Sequence, residues 1–139
     1  MLVNRASLEG QAIPIVTDTD IVEARRAARA LATRVGFSGT DLTLIASAVS
    51  EIARNIIEYA RPGEVVLSVI HNQRGRGVQV IARDQGPGIA DLALAMTDGY
   101  STSRSLGVGL PGSRRLMDEF RVESTVGHGT TITMRKWLS

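Results

Sequence analysis

Ile45, Val49, Ile52 and Ile56 recur every three or four residues between the cap candidates Thr40 and Asp41 and the breaker Arg61-Pro62-Gly63. That period describes an α-helix with one apolar face. At about 100° per residue, Glu51 and Asn55 lie side by side, one turn apart, at the border of the stripe. A carboxylate and an amide oxygen can there face a cleft instead of open water.

The remaining pattern alternates between helical and strand periods. Residues 1–12 have no clear period and read as a loose arm or edge strand leading into Ile13-Pro14-Ile15-Val16. Asp18, Thr19 and Asp20 offer cap oxygens ahead of Ile21, Ala24, Ala28, Leu31 and Val35, a second amphipathic helix that ends at Gly36. Residues 65–70 and 78–82 are β-rich and joined by the turn-forming 72–77. Residues 92–96 suit a short helix, 98–105 a polar loop, and 110–120 a helix with Pro111 in its first turn. Residues 121–125 and 130–137 alternate as two strands around Val126-Gly127-His128-Gly129. The expected class is α+β, a two-layer sandwich in which helices cover one face of a mostly antiparallel sheet.

A chain of 139 residues, 43% hydrophobic, has room for one such domain, expected over 13–139, and for no second. It contains no cysteine and two histidines, which rules out disulfides and leaves almost nothing for structural zinc. Sixteen basic and fourteen acidic residues leave a charge of +2, a weak basis for binding nucleic acid. No apolar run approaches the roughly 20 residues that cross a bilayer, so no membrane role and a cytoplasmic location are expected. Arg25, Arg26 and Arg29 cluster on the first helix as a basic patch or a solvated face.

Two glycine-rich segments supply what a phosphate ligand needs. In Asp84-Gln85-Gly86-Pro87-Gly88-Ile89 a strand ends on a carboxylate that can accept a hydrogen bond from an exocyclic amine such as adenine's. Gly86 and Gly88 then permit close approach of a ligand, although a tight turn with Asp84 bonded to its own backbone fits equally. Gly107-Val108-Gly109-Leu110-Pro111-Gly112 matches G-x-G-x-x-G without a preceding strand, so a dinucleotide fold is rejected, and no Walker pattern occurs. What survives is a glycine loop opening a helix, with free N–H groups from Val108 onward for phosphates. Ser101, Thr102, Ser103 and Arg104 would form a lid over them. Asn55 is suited to Mg²⁺ as a hard-oxygen ligand, and Glu51 can take a proton from a hydroxyl or a water. In isolation the same pair also fits an ordinary helix surface.

In this order the segments resemble the GHKL (HATPase_c) superfamily: Glu51 and Asn55 in its N box, Asp84, Gly86 and Gly88 in G1, and Gly107, Gly109 and the lid in G2. Gly127-His128-Gly129-Thr130 resembles its last motif, in which Thr130 would support the adenine. The likeness is nearest to the RsbT-type switch serine/threonine kinases, sisters of the anti-sigma-factor kinases, and runs from about Ile13 to Leu138, including Arg115-Leu116-Met117-Asp118-Glu119-Phe120. It implies a Bergerat ATP-binding fold and Mg²⁺-ATP. It also implies phosphorylation of a STAS-domain antagonist in a stressosome-like partner switch, with a PP2C-type phosphatase or a sigma-factor regulator as output. Ser105 departs from the pattern, which usually has glycine before the Leu. An alternative function is an ATP-gated, anti-sigma-factor-like protein acting by sequestration. A detached histidine-kinase domain is disfavoured, since His71 ends a strand and His128 lies in a turn.

Overall fold

The two apolar helical stripes predicted from the sequence meet on one face of a five-stranded antiparallel sheet in the computed structural model, which describes residues 10–60, 62–73, 75–86 and 110–138. In chain order the elements are β1 (Gln11–Ile15), α1 (Asp18–Val35), α2 (Thr40–Asn55), a π-helical turn (Ile56–Ala60), β2 (Gly63–Asn72), β3 (Gly75–Asp84), α3 (Leu110–Leu116), β4 (Glu119–Thr125) and β5 (Gly129–Trp137). The sheet order is β1-β2-β3-β5-β4, with every neighbouring pair antiparallel. This is the α+β arrangement expected.

Alternation along the strands sends Ile13, Ile15, Val65, Leu67, Val80, Ala82, Ile132 and Met134 to the helical side, where all are buried. Ala24, Ala27, Ala28 and Ala32 on α1 are also buried, and their small side chains let that helix approach its neighbours closely. The α2 stripe is buried throughout, with Ile45, Val49 and Ile52 at 1% exposure or less. Each such side chain contributes about 1.5–3 kcal/mol by leaving water.

Four boundaries differ from the sequence pattern, each for a local reason. Thr17, not Asp18, Thr19 or Asp20, caps α1: Asp20 Oδ2 accepts from the N–H groups of Thr17 at 3.0 Å and Val16 at 2.8 Å. These bonds hold the Asp20 carboxyl below the usual range. The hairpin strands extend further than residues 65–70 and 78–82, pairing as far as Asn72 with Gly75. α3 stops at Leu116, and Glu119 and Phe120 belong to β4, because the corner between them is tied to β5. There Trp137 donates from its backbone N to Asp118 Oδ2 at 2.8 Å and from Nε1 to Glu119 Oε2 at 2.6 Å. Finally, α2 widens into the π turn after Asn55. Ile56 there packs over Gly63, whose Cβ, if present, would lie 2.8 Å from Ile56 Cγ2.

Gly129 opens β5 at φ +94°, and a Cβ there would run into the carbonyl oxygen of Asp84. Gly129→Ala is therefore expected to cost at least about 1–3 kcal/mol in backbone strain alone, with the steric conflict added. Gly127→Ala, at φ +84° with nothing nearby, should cost less. Urea unfolding of the two variants measures the difference.

Candidate active site

The last turn of α2 carries the first half of the site. Glu51 is 15% exposed, and Arg54, three residues on, donates from Nη1 to its Oε2 at 2.6 Å. The other carboxylate oxygen, Oε1, is buried and has no hydrogen-bond partner among the described residues. A buried acceptor of this kind is costly unless something completes it. Asn55, also half-buried, ends the α-helical segment one turn later. The π turn that follows is a distortion found disproportionately at functional sites.

The second half is a row of residues across the end of the sheet. Register pairs Ile15 with Gly63, Gly63 with Asp84, Asp84 with Thr130, and Thr130 with Ser124. Asp84 lies two residues beyond buried Ala82, so both side chains leave the sheet on the face that α2 covers. Ile56 over Gly63 brings the end of α2 to this row. Ala60 abuts Gly86, where an added Cβ would sit 2.6 Å from Ala60 Cβ. The absence of side chains at 63 and 86 is thus what lets the helix end close on Asp84.

Asp84 Oδ1 accepts from the Gly86 N–H at 2.8 Å. Burial pushes its carboxyl above the usual range, opposed by backbone hydrogen bonds from Gly86 and Thr130. Thr130 is buried, and its hydroxyl shares a 2.9 Å hydrogen bond with Ser124 Oγ. A cleft of about 490 Å³ opens beside Asp84, lined by Pro62, Gly63, Glu64, Arg83 and Gln85 as well. It touches neither Glu51 nor Asn55 and is polar at its rim, where Arg83 and Glu64 pair at 2.9 Å. We therefore take it as an approach to Asp84, not as the whole ligand groove.

The structure places Glu51 and Asn55 on the last turn of α2, and brings Asp84, Gly86 and Thr130 together at the end of the sheet. Leu110 opens α3, which packs against α2. Gly88, Ser101, Thr102, Ser103, Arg104, Gly107, Val108 and Gly109 lie outside the described residues, as does Ser105. The sequence pattern did not pair Arg54 with Glu51, showed Gly63 only as part of a helix breaker, and gave Ala60 no role. The spacing of Glu51 and Arg54, three apart on a helix, was the available signal for the pairing. Nothing local marked the packing of Gly63 or Ala60. His71, in β2, and His128, whose N–H donates to Thr125 O at 2.8 Å in the β4–β5 turn, stand where the sequence placed them. Arg25, Arg26 and Arg29 are exposed, and Arg26 pairs with Glu23 at 2.6 Å.

Residues 16–136 match the family model of the histidine kinase-like ATPase domain, and the chain belongs to that family. It is 47% identical over 126 residues to the serine/threonine-protein kinase RsbT of Bacillus subtilis (strain 168), spanning 91% of this chain and 95% of that protein. It is 38% identical over 106 residues to the anti-sigma F factor of Priestia megaterium, spanning 71% of each. With the anti-sigma F factor of Clostridium novyi (strain NT) it shares 32% over 120 residues, 83% of this chain and 84% of that one. These relatives place it among the serine/threonine-protein kinases of the RsbT kind, built on an ATP-binding domain. Among the described residues no helix is long and apolar enough to cross a membrane.

Proposed function

We propose that this chain transfers the γ-phosphoryl group of ATP to a serine or threonine of a STAS-domain partner in a bacterial stress-response switch, and that its release activates a PP2C-type phosphatase. The observation that carries the transfer step is the Glu51 carboxylate: one oxygen held by Arg54, the other buried and without a partner among the described residues. A general base needs such an acceptor, sheltered from water and within reach of an incoming hydroxyl.

The residues fit a nucleotide. Asp84, desolvated at the end of β3 and already holding the Gly86 N–H, is suited to the adenine amine. Thr130, beside it in register, would support the same end of the ligand. Asn55 offers one hard oxygen to Mg²⁺, and no trio of His, Cys, Asp and Glu gathers among the described residues. The ion would accordingly depend on phosphate oxygens and water for its other ligands. Gly107, Val108, Gly109 and Leu110 would offer backbone N–H groups to the phosphates, and Ser101, Thr102, Ser103 and Arg104 would cover them. Magnesium-bound ATP supplies the transferable phosphoryl group, with its charge partly neutralised. The protein's own part is to orient both ends and to receive the hydroxyl proton at Glu51 Oε1. A cytoplasmic location follows from this role.

Likeness to two anti-sigma F factors supports a second reading, in which ATP mainly gates capture of a sigma-factor regulator. Incubation with γ-labelled ATP and STAS-domain proteins separates the two. Transfer predicts label on a serine or threonine of the partner, whereas capture alone yields a complex with unmodified protein.

A further inference from the structure

We infer that Arg54 is a positioning residue for phosphoryl transfer, holding the Glu51 carboxylate by one oxygen so that the other is presented to the acceptor hydroxyl. The inference rests on the reading of Glu51 as base. A three-residue spacing brings the two side chains to one flank of α2 without help from the rest of the fold. The Nη1–Oε2 separation of 2.6 Å is short for a charge-assisted hydrogen bond. The two carboxylate oxygens are therefore sorted: Oε2 faces the guanidinium, and Oε1 is buried with no partner among the described residues. Arg54 is 38% exposed and Glu51 15%, so the bridge runs from the rim inward and anchors the base from its solvent side.

With Arg54 38% exposed at the rim, solvent screens this part-buried i,i+3 bridge, and its contribution to stability is modest. Its effect is on geometry. A free glutamate samples several rotamers, and each one outside the productive set lowers the fraction of protein ready to react. Tethering Oε2 confines Oε1 to a small arc before substrate arrives. Arginine suits the task because it has no acceptor and stays charged, so it never competes for the hydroxyl proton.

The test uses γ-labelled ATP and an acceptor STAS-domain protein on which the native chain transfers label. Arg54→Ala should lower kcat by about 10- to 100-fold through loss of orientation. The KM for ATP should stay within about two-fold, because the contact is to the base and not to the nucleotide. Arg54→Lys, keeping charge without the planar fork, should fall between Arg54→Ala and the native chain. In a Glu51→Gln background, Arg54→Ala should cost nothing further, since no base remains to be held. Native kcat in Arg54→Ala overturns the inference, as does a raised KM with kcat unchanged, or a full additional loss in the Glu51→Gln background. If Glu51→Gln itself turns over normally, the base assignment fails first. If Glu51→Gln is inactive and Arg54→Ala is native-like, only the clamp is lost.

Discussion

Glu51→Ala slows phosphoryl transfer by about 100- to 10,000-fold, the range expected for loss of a positioned general base. Nucleotide affinity in that variant stays within about two-fold of native, so the loss appears in kcat and not in binding. The reason lies in what each oxygen of Glu51 touches. Oε2 is held by Arg54, and Oε1 is buried with no partner among the described residues. Neither oxygen supports the sheet end where Asp84 sits. Removing the side chain also removes a buried acceptor left incomplete, so the folded state should not weaken appreciably. Rapid-quench transfer assays paired with equilibrium nucleotide binding measure both halves. Full turnover in Glu51→Ala would remove this residue from the chemistry.

Asp84→Asn should behave in the opposite way, losing affinity while folding as well as the native chain or better. The carboxylate is an acceptor suited to an amine in a desolvated setting, and loss of a charged hydrogen bond of about 1.5–3 kcal/mol corresponds to about 10- to 150-fold weaker binding. The stability effect follows from the raised pKa. Burial lifts the folded carboxyl above the usual aspartate value of 3.8, so in the window above 3.8 the folded chain holds a proton that the unfolded chain has released. The contribution is complete below that value and disappears as pH rises through the folded pKa. At neutral pH the buried charge is a net cost, which the amide avoids while its oxygen still accepts from the Gly86 N–H. Urea midpoints of nucleotide-free protein across the acidic range should therefore show Asp84→Asn gaining on the native chain as pH rises. Displacement of a fluorescent ATP analogue should show it losing affinity. A variant that binds normally contradicts the adenine role, and one that loses ground with rising pH contradicts the desolvation argument.

Much of the architecture was legible because it rests on periodicity. The stripe Ile45, Val49, Ile52 and Ile56 is buried as spaced, and the paired strands around Val65 and Val80 lie where β-rich runs and turn residues put them. What escaped detection depends on contacts between distant segments. α3 ends at Leu116, although helical spacing continues to Phe120, because Asp118 and Glu119 are bonded to Trp137, nearly twenty residues away in sequence. The π turn after Asn55 coincides with Ile56 meeting Gly63 and Ala60 meeting Gly86, and neither contact is encoded within the helix.

The site divides along the same line. Glu51 and Asn55 were legible from spacing, and Asp84 from its place at the end of a strand before glycines. The row of Gly63, Asp84 and Thr130 across the end of the sheet was not, since it follows from strand register, and Ile56 over Gly63 brings the end of α2 to it. The pairing of Arg54 with Glu51 was not legible either, because an arginine at the edge of a helix ordinarily faces solvent. Its significance appears only once one Glu51 oxygen is seen occupied and the other buried without a partner among the described residues.

Isothermal titration of the native chain with ATP in the presence of Mg²⁺ tests the central claim most directly. The account predicts a saturable heat with one nucleotide per chain. Absence of heat at millimolar nucleotide would contradict it, since the roles proposed for Glu51, Asn55 and Asp84 would then have no ligand to act upon.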